Sequence, residues 1–470
     1  MTLTGDSKID PDVETLPGAA SVGTSGEAED GHRRAKSASG RFTEDYPELG
    51  TGPVDYTDCT SPEFYELERE AVFKRSWLMV GRVEQLTRKG SYFTKELAVA
   101  GTSLIIVRGR DDVVRAFHNV CRHRGNKLVW QDYPGEETSG SCRQFMCKYH
   151  GWKFDLDGEC ADVVLEDSFF DLDKSKLGLV GVHCEVWEGF IYVNLAAEPE
   201  QGLRDFLGPL LQGLEGYPFH EMTERYHYKT TVNANWKLFY DAFQEIYHAP
   251  ALHGNQTPNI DLAVQMRPLK APYYELCSPH RVMQPTGFAS TEKVATLRGM
   301  DLLKPIERLT RASLIGPFEG RDLTHTAPRL NPGGYKNWLI SSFMQFPNTT
   351  ILIRATGWFL TYSYWPTSYN TLTFEGNLYF PKPKNIRERV AHEVAKATHK
   401  EYALQDANTL EATQRALESG VLTEFPLSDH EILCRHLHKE VGDRVTAYKQ
   451  ELADKQAAAA AAAGTAGSPA

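Results

Sequence analysis

The chain has 470 residues, 41% hydrophobic and 11% aromatic, enough to bury a substantial core in two domains or in one large domain with a smaller one attached. Its formal net charge of -11 argues against nucleic acid or an anionic membrane surface as the main partner, because both reward excess Lys and Arg. It has no run of about eighteen apolar residues and no apolar secretory core, so a cytoplasmic protein is expected, whose eight cysteines read as thiols or metal ligands and not as a disulfide framework.

Residues 1–41, rich in Gly, Ser, Ala and acids, read as a disordered N-terminal arm. In "SPEFYELEREAVFKRSW", Ser61 is placed to cap a helix that has Pro62 at its first position and Phe64, Leu67 and Val72 near one face. The short segments "GSYFTKEL", "TSLIIVRG" and "VVRAFHNV", punctuated by Gly and Asp, predict a small antiparallel β domain that "GFIYVNL" closes near residue 195. From 196 to 455 the elements mix. "NWKLFYDAFQEIYH" reads as a helix, "NWLISSFMQFP", "TTILIRATGWFLTYSYWP" and "TLTFEGNLYFP" as long strands, and 385–419 and 429–456 as helices. The fold class is α+β, with residues 456–470 as a flexible tail. No internal repeat and no Gly-rich phosphate loop appears.

Two stretches carry metal chemistry. "NVCRHRG" sets Cys121 two residues before His123, and "CKYHGW" sets Cys147 three residues before His150, each pair beside a turn glycine, Gly125 or Gly151. Two thiolates and two imidazoles on paired β loops suit either a tetrahedral zinc or a two-iron cluster with cysteines on one iron and histidines on the other. The 23 residues between His123 and Cys147 include Cys142 and read as a surface loop; Cys142 lacks a histidine three residues on, so it is set aside as a ligand. Trp152 reads as a shield over the cluster or as plain core. Further on, "QEIYHAPALH" holds Glu245, His248 and His253. Glu245 and His248 share a helical face, whereas His248 and His253 would point about 140° apart on an ideal helix. Pro250 between them can distort it.

The motifs C-x-H and C-x-x-H closely resemble the Rieske pattern, although the spacer between them is longer than the family's usual one. With "EREAVFKRSW", "AFHNVCRHRG", "NWKLFYDAFQEIYH" and "FPN" in order, the chain from Tyr46 to Leu452 resembles the oxygenase (alpha) component of Rieske non-heme iron oxygenases, the aromatic-ring-hydroxylating family. The resemblance implies a Rieske domain over 42–195 whose [2Fe-2S] cluster is held by Cys121, His123, Cys147 and His150. It also implies a helix-grip-like catalytic domain over 196–455 with Fe(II) on His248, His253 and, from "QDANTLEATQRAL", Asp406, with Glu411 as the rival carboxylate. Glu245 is implied to sit behind His248 and to face a Rieske histidine of a neighbouring chain in a homotrimer, with or without a beta subunit.

The same resemblance implies electrons from NAD(P)H through a partner reductase, with or without a ferredoxin. The reaction expected is hydroxylation or cis-dihydroxylation of an apolar aromatic or polycyclic small molecule by O2. Glu in place of Asp at 245 leaves a second reading open, a monooxygenase that demethylates or cleaves a quaternary ammonium or other N-alkyl compound. Two readings of other classes are a zinc-stabilised binding protein and a Rieske electron carrier.

Overall fold

The computed structural model describes residues 41–133, 135–253, 273–284, 323, 325–334, 340–355 and 357–465. Apart from Arg41, the expected N-terminal arm lies outside the described residues. The first helix, α1 (Pro62–Glu68), starts as its sequence predicts: the Ser61 hydroxyl accepts the Phe64 N–H, and Pro62 opens the first turn. One π turn, Arg69–Phe73, follows it and buries Ala71, Val72 and Phe73.

Strands β1 (Leu78–Arg82), β2 (Ser91–Leu97), β3 (Thr102–Arg108), β4 (Val114–His118) and β5 (Ser139–Ser141) come next. They are followed by β6 (Phe145–Met146), β7 (Lys153–Phe154), β8 (Cys160–Asp162), β9 (Gly181–Trp187) and β10 (Phe190–Asn194). An antiparallel sheet has the order β1-β10-β9-β4-β3-β2-β5, and β6-β7-β8 form a small sheet of their own. The unbroken apolar run in β3 has a simple cause. Leu104 and Ile106 enter the core shared with the C-terminal sheet, while Ile105 and Val107 enter the core beneath the Cys/His loops, so both faces are buried.

The long spacer after His123 departs from the expected surface loop. Part of it folds as β5 on the edge of β2, with Ser91 opposite Ser141. Just before that strand, the Glu137 carboxylate lies 3.3 Å from Lys95 and 3.6 Å from Lys229, which joins the two halves of the chain.

The second half contains α2 (Leu203–Gln212), β11 (Glu224–Val232), α3 (Trp236–Asp241), α4 (Ala249–Leu252), β12 (Tyr273–Cys277) and β13 (His280–Gln284). After these come β14 (Ile340–Gln345), β15 (Thr349–Arg354), β16 (Trp358–Ser368), β17 (Thr371–Phe380), α5 (Ile386–Leu417) and α6 (Ile432–Thr465). Its sheet has the order β11-β17-β16-β15-β14-β13-β12 and is antiparallel throughout. Along β16, Leu360, Tyr362 and Tyr364 point into one core and Phe359 into the other. Helix α5, capped by Asn385 accepting the Glu388 N–H at 2.9 Å, packs on β11 and α3. Val193 of β10 shares a core with Tyr364 of β16, so apolar packing runs across the expected boundary at residue 195.

Three elements differ from expectation. "TTILIRATGWFLTYSYWP" is a hairpin, β15 and β16, broken at Gly357, whose φ of 85° suits a residue without Cβ. α6 continues through the alanine run to Thr465 in place of a tail from 456, as the best helix-forming residue allows. The helix expected over 235–248 stops at Asp241. There the Phe243 N–H bonds the Tyr240 carbonyl at 3.0 Å and the Gln244 N–H bonds the Asp241 carbonyl at 2.9 Å, tight turns that end the α ladder.

Candidate metal centres

The Cys/His loops are built alike. Gly125 donates its N–H to the Cys121 carbonyl at 3.1 Å, and Gly151 donates to the Cys147 carbonyl at 3.0 Å, both glycines with positive φ. The cysteine N–H groups close the loops on Asn126 O at 2.8 Å and Trp152 O at 2.9 Å. Both cysteines are buried, and burial pushes the Cys121 thiol up to about 11, so a metal has to displace that proton. His123 and His150 approach to 4.6 Å between ring centroids, and the buried Nδ1 of His123 has no hydrogen-bond partner among the described residues. Two thiolates and two imidazoles on loops built alike fit a two-iron cluster with cysteines on one iron and histidines on the other. The Cys142 N–H pairs with the Gly90 carbonyl at 3.0 Å.

The second site joins the two ends of α4 to α5. His248 precedes α4, His253 follows it, and Asp406 lies in the middle of α5. The Asp406 Oδ1 atom is 3.6 Å from His248 Nε2 and 3.4 Å from His253 Nε2. The single turn of α4 lets both imidazoles converge, with centroids 5.2 Å apart, which resolves the divergence expected for a straight helix. Each Nδ1 is occupied from behind: that of His248 donates to Glu245 and that of His253 to Gln405 Oε1 at 2.6 Å. These bonds fix the tautomers and leave both Nε2 lone pairs facing Asp406.

Asp406 is 2% exposed, and no hydrogen bond reaches its Oδ1 among the described residues. Burial pushes its carboxyl up to about 7. Two imidazole nitrogens and an otherwise orphaned carboxylate oxygen on one side of a point fit a facial iron triad with open positions. Glu411, the rival, is half-buried, and its carboxylate is already engaged by the backbone N–H of Asn233 at 2.9 Å and its side-chain amide at 3.0 Å.

Glu245 accepts the His248 N–H at 3.1 Å as well as the ring proton, and it lines a cleft of about 270 Å³ together with Tyr56, Asp241, His248 and Asp406. Other groups at the two sites escape a reading of the sequence. Gln405 and Tyr402, the latter 4.8 Å from the His253 ring, are brought in by α5; their only signal is their spacing of one and four residues before Asp406. Asn126 aims its amide at the Cys147 sulfur at 3.8 Å. Trp152 is both buried core and a shield, stacked on His123 at 4.9 Å with the planes 7° apart.

Residues 76–171 match the Rieske [2Fe-2S] domain family, and 219–447 match the ring hydroxylating alpha subunit (catalytic domain) family. The chain is 34% identical over 199 residues to the carnitine monooxygenase oxygenase subunit of Escherichia coli (strain K12), covering 42% of this chain and 50% of that protein. It is 34% identical over 203 residues to the methanesulfonate monooxygenase hydroxylase subunit alpha of Methylosulfonomonas methylovora, covering 42% and 48%. It is 33% identical over 192 residues to the glycine betaine monooxygenase oxygenase subunit of Chromohalobacter salexigens, covering 41% of each. The chain thus spans about half the length of the curated relatives it matches.

Among solved structures, a quaternary ammonium Rieske monooxygenase with L-carnitine superposes with a TM-score of 0.62 at 20% identity, covering 83% of this chain and 95% of that one. Naphthalene 1,2-dioxygenase with indole gives 0.61 at 21%, covering 84% and 92%; both likenesses concern the fold. Among the described residues, no helix is long and apolar enough to cross a membrane. With an N-terminal [2Fe-2S] domain followed by the catalytic domain that carries mononuclear Fe(II) in its relatives, the chain belongs to the Rieske non-heme iron oxygenases as an oxygenase (alpha) component.

Proposed function

We propose that this chain is the oxygenase component of a multicomponent monooxygenase that oxidises a quaternary ammonium compound at a carbon next to nitrogen. This is the second reading left open by Glu245, and it replaces the apolar aromatic substrate expected first. The relatives named above are, by name, monooxygenases of carnitine, glycine betaine and methanesulfonate, all small charged molecules.

The observation that carries the proposal is an aromatic group on the sheet face covered by α5. Phe243, five residues before His248, lies 5.0 Å from the Tyr362 ring and 5.9 Å from Tyr364, and Tyr228 flanks Phe374 at 6.1 Å. Burial, with a contribution from the Asp406 carboxylate, holds the phenols of Tyr228, Tyr362 and Tyr364 well above the usual range, so these rings stay neutral. Neutral aromatic faces attract a cation that has no N–H to offer.

His248, His253 and Asp406 would hold Fe(II), and Cys121, His123, Cys147 and His150 the [2Fe-2S] cluster. When bound, the cluster supplies single electrons and the iron supplies dioxygen activation. One oxygen atom enters a C–H bond next to nitrogen, and the other leaves as water with two electrons and two protons. The resulting hemiaminal breaks its C–N bond to give an amine and an aldehyde. The electrons come from NAD(P)H through a separate reductase.

The Rieske tip exposes Tyr149, Leu165 and Phe170 beside Arg122, Arg124 and Lys148, which complements the cleft that contains Glu245, Asp241 and Glu431. A head-to-tail trimer would seat each tip in the next protomer's cleft, with Glu245 between the two metal centres.

The test is oxygen uptake and product mass for the iron-loaded protein with a surrogate reductase. Carnitine, glycine betaine and choline are to be compared with naphthalene and biphenyl. Aldehyde and amine from an ammonium compound are expected; ring hydroxylation with no ammonium turnover would overturn the proposal.

A further inference from the structure

Behind the turn that carries Glu245 and His248 lies a buried row of alternating charges. Glu68 on α1 pairs with Lys237 on α3, and both are 0% exposed. Lys237 Nζ is 3.5 Å from Asp58 Oδ2, His438 Nδ1 on α6 is 3.4 Å from the same oxygen, and His438 Nε2 is 3.1 Å from Asp241 Oδ2. The other Asp241 oxygen accepts Gln244 Nε2 at 3.0 Å, and the Gln244 carbonyl accepts from the buried Arg281. Asp58 and Asp241, the two carboxylates on either side of His438, each face cationic or N–H donors from two directions. The Tyr56 hydroxyl completes the row by donating to Asp241 at 3.0 Å.

Asp241 is where α3 ends and the chain turns toward Glu245. We infer that His438 is a positioning residue for that turn: hydrogen-bonded to Asp241 and within ion-pair distance of Asp58, it fixes the end of α3 and so keeps the Glu245 carboxylate against His248. The inference goes beyond the proposed function and rests on its placing of Glu245 behind His248. Buried ion pairs contribute little stability over apolar residues of the same shape, yet they fix which groups meet, which suits a positioning role.

The groups facing His438 are Tyr56, Asp58 and Cys59 from the N-terminal segment and Asp241 from α3; Lys237 lies beyond Asp58, and Cys434 of its own helix sits on the Asp241 carbonyl. Burial alone would lower the His438 pKa, but Asp58 and Asp241 overrule it and hold it at about 9. A folded-state value above the ordinary 6.5 means the contribution is complete below pH 6.5 and is lost as pH rises through about 9.

The test follows amide exchange over residues 242–248 in the iron-free full-length chain, where the His248 N–H is protected by Glu245. Protection in the wild type should fall about tenfold, beyond the intrinsic base-catalysed rise, between about pH 8 and 10. His438→Gln should exchange about tenfold faster at pH 7, without that pH step and with β16 and β17 unchanged. If that variant fails to fold, Asp58→Asn, which removes one of the two partners, should move the step to lower pH. Exchange in His438→Gln within about twofold of the wild type, or an unmoved step in Asp58→Asn, would overturn the inference. Glu245→Gln separates the two readings. Loss of turnover in Glu245→Gln beside wild-type exchange in His438→Gln overturns this inference alone. Full turnover in Glu245→Gln overturns the role given to Glu245, and this inference with it.

Discussion

At the scale of single residues, the oxygen of Asp406 has no hydrogen bond among the described residues although it lies between two imidazole nitrogens whose far sides are already committed. Such a carboxylate is costly in a bare protein and stabilised by a cation. Asp406→Ala should therefore lose about one iron per chain, as expected for a three-ligand site stripped of its anionic member, while keeping the visible cluster spectrum. Glu411→Gln should keep its full iron content, and iron analysis of the two variants checks both statements. Gly376 tests the substrate reading. It sits opposite Tyr228 on one side and Tyr362 on the other, and a Cβ added there would lie 2.5 Å from the Tyr228 ring. Gly376→Ala must push that ring away. KM for the ammonium substrate should rise about tenfold, roughly 1.4 kcal/mol of lost cation–π attraction, with little change in kcat. A neutral tert-butyl analogue, compared by competition, should lose no affinity.

At the scale of elements, the charged row makes α3 the most constrained short helix of the site. Lys237→Met leaves the Glu68 carboxylate buried without its cation, and breaking such a pair costs about 3–5 kcal/mol. Urea unfolding should show that loss, and adding Glu68→Gln should recover most of it by removing the orphaned charge. The same row explains where the sequence stops being legible. Strands such as β3 can be read directly because their residues meet neighbours at a fixed period, and the Ser61 cap needs only local spacing. The four Cys/His positions and Glu245, His248 and His253 stand out because chemistry and spacing coincide. The end of α3 at Asp241 does not, because Tyr56 and His438, far off in the chain, hold that side chain. Gln405 is equally hidden: only the placing of α5 beside the end of α4 turns an ordinary helix residue into the partner of His253. The spacer strand β5 was masked by the polar residues that suit an exposed sheet edge.

At the scale of the whole molecule, each chain offers an exposed apolar and basic tip around its cluster loops, and an acidic-edged cleft beside its Glu245. Surface patches of that kind are stabilised by burial against one another, and a heterologous contact between them closes into a ring when the rotation permits. If the ring is the working form, electrons reach an iron site from the neighbour's cluster, and the two defects can be placed in different chains. Cys147→Ser should remove the cluster and spare the iron site, and Asp406→Ala should do the reverse. Each variant alone should show less than about 1% of wild-type turnover, since each lacks a redox centre that no side chain replaces. Mixed, dissociated and reassembled, they should recover activity well above that floor, because some rings then set an intact tip against an intact cleft. Adding Glu245→Gln to the Cys147→Ser chain places the altered carboxylate in every cleft that still holds iron, and it should abolish most of the recovery. The same change on the Asp406→Ala chain should leave recovery intact, since that cleft is already silent. Equal losses from both placements would show that Glu245 acts through folding or ring assembly and not between the two metal centres. No recovery from mixed rings whose assembly is verified by mass would show that electrons do not cross between chains.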